Sequence, residues 1–146
     1  MTEFTWIIKD FETRPQENGD YIVSSTFMVN QPSNEKESCW QLKLFPKGCG
    51  PQEREHLSIF LQSNNDFSLG VKFEVSILDS SAQKTNRVYT FDTDFRHLES
   101  QRPTLEQRQW ASRDSIINNP ELLPGGNLTI LCVVTCYGTA TTGASQ

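Results

Sequence analysis

The chain has 146 residues, 36% hydrophobic and 21% charged, with a net charge of −5. That length fits one ordinary domain with its own core, and the acidic balance disfavours a nucleic-acid binder, which usually presents a basic face. No apolar run approaches the roughly 20 residues of a membrane span, and the N-terminus, Met-Thr-Glu-Phe-Thr-Trp, lacks the basic and apolar regions of a signal peptide. The expectation is an intracellular protein, nuclear or cytoplasmic, with neither nucleic acid nor membrane as a partner.

Phe4 to Phe11 opens as a strand, rich in aromatic and β-branched residues. Thr13 to Asp20 holds Pro15 and Asn18-Gly19 and reads as a loop or hairpin connection. Tyr21 to Val29 is the next extended stretch, and Gln31 to Glu37 is a polar turn. Cys39 to Phe45 alternates: Trp40, Leu42 and Leu44 point inward, Gln41 and Lys43 outward. Pro46-Lys-Gly-Cys-Gly-Pro51 ends that strand. His56 to Leu61 is another strand, with Leu57, Ile59 and Leu61 on one side and His56, Ser58 and Phe60 on the other. Ser63-Asn-Asn-Asp66 turns the chain again.

Gly70 to Phe91 reads as two antiparallel strands. In the first, Val71, Phe73, Val75 and Ile77 alternate with Lys72, Glu74 and Ser76, one face on a core and one toward water. Asp79-Ser80-Ser81 and Thr85-Asn86 supply turn-forming side chains. In the second, Tyr89 and Phe91 lie opposite Val88 and Thr90, which suggests a sticky outer face. Asp92 to Arg108 shows no sustained period and reads as a long loop. Gln109-Trp110 starts a short strand, and Ser112 caps a helical turn, Arg113 to Asn118, ended by Pro120. Leu128 to Tyr137 is apolar on both faces, as a central strand would be. Gly138 to Gln146 is rich in Thr, Gly, Ala and Ser and is expected to be a flexible tail.

Seven to eight short strands with almost no helix predict an all-β fold, an antiparallel β-sandwich over residues 1–137 followed by the tail 138–146. The predicted core holds Trp6, Trp40, Leu42, Leu44, Leu57, Ile59, Leu61, Val75, Ile77 and the 128–136 run.

Little here suggests chemistry. Cys39, Cys49, Cys132 and Cys136 are expected as reduced thiols; Cys132 and Cys136 would stand about 13 Å apart on an extended strand, too far to bridge. His56 and His97 lie at no metal-ligand spacing, and no nucleophile elbow, P-loop or dinucleotide fingerprint occurs. No catalytic residue, metal or cofactor is expected. The stronger signal is an outer face. His56 and Phe60 share parity on one strand, as do Tyr89 and Phe91 on another. If those strands are neighbours, they floor an aromatic groove. The alternative is that Phe60 and Phe91 complete a core; spacing leaves both open.

Phe4-Thr-Trp-Ile-Ile-Lys-Asp-Phe, Ser24-Ser-Thr-Phe, Trp40-Gln-Leu-Lys-Leu-Phe-Pro-Lys-Gly, Leu57-Ser-Ile-Phe-Leu, Val71-Lys-Phe-Glu-Val-Ser-Ile-Leu, Trp110-Ala-Ser-Arg-Asp and Leu122-Leu-Pro-Gly-Gly-Asn-Leu-Thr-Ile together resemble a MATH (meprin and TRAF homology) domain. The likeness is nearest to the speckle-type POZ protein group and covers roughly residues 4 to 137. It implies a TRAF-like eight-stranded sandwich that holds Ser/Thr-rich linear motifs of protein substrates in a shallow groove. In that group an adjoining POZ domain recruits a cullin ubiquitin ligase; no POZ domain follows in this chain. The resemblance puts Phe60, Phe73, Tyr89 and Phe91 at groove positions, although alternation turns Phe73 inward.

The group's Asp-Trp-Gly-Phe run is missing. Asp94-Phe95 or Leu105 to Arg108 are the candidates to replace it, and the peptide specificity is accordingly open. Without a coiled coil before Phe4, a monomer is expected. The alternatives are a self-associating TRAF-like scaffold, or a MATH domain with altered or lost specificity, including one like those of certain deubiquitinating proteases.

Overall fold

Side chains alternating between a dry and a wet face make strands, and the dry faces set how they stack. Trp40, Leu42 and Leu44 on β4 (Glu37–Phe45) and Leu57, Ile59 and Leu61 on β5 (His56–Ser63) are fully buried. So are Phe73, Val75 and Ile77 on β6 (Gly70–Leu78) and Ile130, Cys132 and Val134 on β9 (Leu128–Tyr137). Each large apolar side chain withdrawn from water contributes about 1.5–3 kcal/mol, and the four rows interleave as one core. The computed structural model describes residues 2–30, 37–63, 70–84, 89–94 and 104–137.

Two antiparallel sheets carry these rows. One has the order β1 (Thr2–Ile8), β9, β6, β7 (Tyr89–Asp94). The other runs β2 (Ile22–Val23), β4, β5, β8 (Thr104–Ser112), with β3 (Phe27–Asn30) also paired to β4. The architecture is the expected antiparallel sandwich. Among the described residues the expected stretch 21–29 divides: β2 meets Lys43 and Leu44, and β3 meets 37–40 further along the same strand. Ser24 makes the break. Its N–H donates to the Leu42 carbonyl at 2.9 Å, while its hydroxyl accepts from the Leu42 N–H at 3.0 Å. A side chain thereby replaces a ladder carbonyl.

The sheets close on each other beside β1 and β3, where Phe4 and Phe27 stack at 4.4 Å. Trp6, expected inside, is only half-buried against the core because it lies on the terminal strand β1. β9 is an inner strand of its sheet, as its two apolar faces predicted. At the opposite side the terminal strands are β7 and β8.

The expected loop 92–108 is shorter than its composition suggested. β7 continues to Asp94, and β8 begins at Thr104 and pairs with β5. Its period is hidden by a bulge: Leu57 pairs with Ala111 but Ile59 with Gln107, so 108–110 face Ser58 alone. The one α-helix among the described residues, α1 (Arg113–Ile117), starts as predicted, with the Ser112 hydroxyl accepting from the Ser115 N–H. No described helix is long and apolar enough to cross a membrane. The tail 138–146 and the predicted turns at 31–36, 64–66 and 85–86 lie outside the described residues.

Candidate functional site

The predicted groove needed β5 beside β7. They are not neighbours. β5 pairs with β4 and β8 in one sheet, and β7 pairs with β6 in the other. The candidate residues therefore divide between two places.

Phe73 is fully buried between the sheets. Alternation placed it correctly, and it is not presented at a surface. The register sets Phe91 opposite Phe73 and Tyr89 opposite Val75. Paired positions share a face, so positions 89 and 91 belong to the side of the sheet that carries the buried Phe73 and Val75, not the outer one. Asp94 ends β7 opposite Gly70, and Phe95 lies outside the described residues.

Phe60 has the outward position that alternation gave it, on the outer face of the five-stranded sheet. It is half-buried. Its ring lies 5.0 Å from that of Phe45, which in turn lies 5.4 Å from that of Tyr21. These three rings form a row on the sheet surface, and Phe45 joins it because β4 turns its odd-numbered residues outward. Sequence reasoning missed Phe45 and Tyr21 as members. The signal was available: Phe45 shares the outward parity of Gln41 and Lys43, where a polar residue would be expected.

Charged groups frame the row. Across the strands, Lys43 pairs with Phe60 and Phe60 with Glu106. The Lys43 ammonium sits 4.7 Å from the Tyr21 ring centroid, a cation–π contact. Glu106 meets the Arg108 guanidinium at 3.7 Å. Among the described residues β8 pairs only with β5, and its other edge has no described partner strand.

His56 does not extend this patch. Ser58 separates it from Phe60, and Ser58 is buried because the 46–53 connection crosses it. The Ser58 hydroxyl accepts from the Cys49 N–H at 3.0 Å and donates to the Arg108 carbonyl. At the end of that connection Glu53 is 5% exposed, with Arg108 at 3.4 Å and the Cys49 thiol at 3.6 Å. Gly48 makes the crossing possible: its φ is +86°, and a Cβ there would lie 1.9 Å from the Glu53 carbonyl oxygen.

An aromatic row framed by charges, next to a strand edge with no described partner, can hold an extended chain. It brings together no nucleophile and base, and no group of three or more His, Cys, Asp or Glu within metal-binding reach occurs among the described residues.

The sandwich is that of the TRAF domains. The structure of Notothenia coriiceps TRAF5 matches with a TM-score of 0.66 at 15% identity, over 93% of this chain and 74% of that one. The MATH domain family model matches residues 3–134, and the chain belongs to that family of protein-interaction modules, not to the enzymes. A curated relative, TD and POZ domain-containing protein 4 of Mus musculus, is 28% identical over 136 residues. The match covers 90% of this chain and 35% of that protein, so the chain spans about a third of its relative's length.

Proposed function

We propose that the domain holds a short Ser/Thr-rich linear motif of a protein partner, in extended form, along the open edge of β8 and over Phe60. One observation carries this reading: a half-exposed aromatic ring on the strand next to β8, whose other edge has no partner strand among the described residues. Backbone pairing to the edge supplies orientation, and the ring gives a small hydroxyl-bearing side chain an apolar floor. Thr104 to Arg108 takes the place of the aromatic run expected from the family resemblance. Glu106 and Arg108 then select by charge where that run would select by stacking.

The relative's POZ domain supports a further step: the chain supplies substrate recognition to a cullin ubiquitin ligase adaptor in an intracellular setting, nuclear or cytoplasmic. Micromolar affinity is expected, because a shallow site seldom does better without avidity.

Calorimetric titration with a Ser/Thr-rich peptide tests the motif. Saturable heat, lost in Phe60→Ala, supports it; no heat with any such peptide overturns it. A domain that trimerises at modest concentration in light scattering would instead favour the TRAF-like scaffold.

A further inference from the structure

Beyond Tyr21, at the end of the ring row away from β8, the loop that precedes β2 shapes a cleft of about 500 Å³. It is lined by Pro15, Gln16, Gly19, Asp20 and Tyr21. The loop is fastened in place. The Gly19 N–H donates to the Gly48 carbonyl at 2.9 Å, and the Asn18 amide donates to the carbonyls of Lys47 and Gly50 at 2.9 and 2.7 Å. Gly19 itself sits at φ +93°, a conformation that favours glycine.

Three features of this cleft ask for the same thing. Tyr21 exposes 45% of its surface. The Asp20 carboxylate accepts from the Glu17 N–H at 3.2 Å, and no described cation lies within ion-pair reach of it. The neighbouring Glu17 is already taken by Lys47 at 3.6 Å. The Gln16 side-chain oxygen is turned away from solvent and accepts from no donor, a state that disfavours the resting arrangement.

We propose that this cleft receives an arginine side chain of a protein partner. The guanidinium is planar, stacks on aromatic rings and offers a fork of donors. Its stem packs on Pro15, its plane lies on Tyr21, and its donors reach Asp20 and, once the Gln16 side chain shifts, the oxygen that now lacks a donor. The net charge of −5 favours a cationic visitor, and an anionic group would meet Asp20 with like charge. Lys43, 4.7 Å from the same ring, opposes the visitor. An isolated arginine is therefore expected to bind weakly, in the millimolar range, and less well as salt rises. This site stands apart from the motif reading above.

The test is nitrogen-15 NMR of the full chain, titrated with N-acetyl-arginine methylamide and, in parallel, with the uncharged N-acetyl-citrulline methylamide. The expected result is saturable shifts of the Gly19 and Asp20 amides and the Gln16 side-chain amide with arginine alone. Asp20→Asn keeps an oxygen for the Glu17 N–H and should weaken binding at least about five-fold; Gln16→Met should weaken it too. Equal response to citrulline, unchanged binding in both variants, or no shifts at these residues would overturn the proposal. Neither probe carries a Ser/Thr motif, so failure here leaves that reading untouched.

Discussion

Phe45 and Phe60 face each other across β4 and β5, ring centroids 5.0 Å apart and tilted by 51°, on the outer face of the five-stranded sheet. Phe45 is nearly buried, whereas Phe60 keeps part of its ring open. Phe45 thus supports Phe60 from the side and fixes where its free face lies. Phe60→Ala should cost little in folding, about 1–2 kcal/mol, because the ring is only half withdrawn from water. The same change should lower affinity for a Ser/Thr-rich peptide at least about ten-fold. Urea unfolding and calorimetry on the same sample separate the two effects.

Trp40 lies on the opposite face of β4 and is wholly enclosed. Trp40→Ala should destabilise by about 3–5 kcal/mol, the loss of its burial plus the cavity left behind. Equilibrium unfolding in guanidinium checks this. A loss under about 1 kcal/mol would mean that the core is not packed around that ring.

These two residues show what alternation can and cannot reveal. A period of two sorted Trp40, Leu42 and Leu44 from Gln41 and Lys43, and it put Phe60 outside and Phe73 inside. Which strands are neighbours depends on pairing between distant segments, and parity carries no information about that. Phe60 and Phe91 were joined by parity but belong to different sheets. The strand β8 was obscured for a physical reason: it is an edge, polar along Glu106 to Gln109, and its bulge breaks the repeat just before the buried Trp110. The Tyr21 cleft depends on Asn18 and Gly19 being tied to the 46–50 segment, a contact between loops that no local pattern announces.

Gly48 holds the 46–53 connection over Ser58. Gly48→Ala forces a side chain into the left-handed region and into the Glu53 backbone at 1.9 Å. A loss of at least about 2 kcal/mol is expected, together with faster exchange of the Cys49 amide, whose bond to Ser58 would open. Unfolding and hydrogen exchange measure the two consequences.

Burial pushes the Cys132 thiol well above its usual range. The folded state then keeps a proton that the unfolded chain gives up above about pH 8.5. This group adds no pH dependence below that value and favours unfolding above it. The stability gap between the native protein and Cys132→Ala should therefore narrow between pH 8.5 and 10, by up to about 1.4 kcal/mol per unit. Urea melts across that range check the sign; a widening gap would contradict it.

The most direct test of the binding surface is hydrogen exchange of the β8 amides with and without a Ser/Thr-rich peptide at saturating concentration. Added protection along 104–109, with Phe60 ring resonances shifting in the same titration, is the predicted result. Protection confined to β1 or β3, or none anywhere, would contradict the placement of a partner strand on β8.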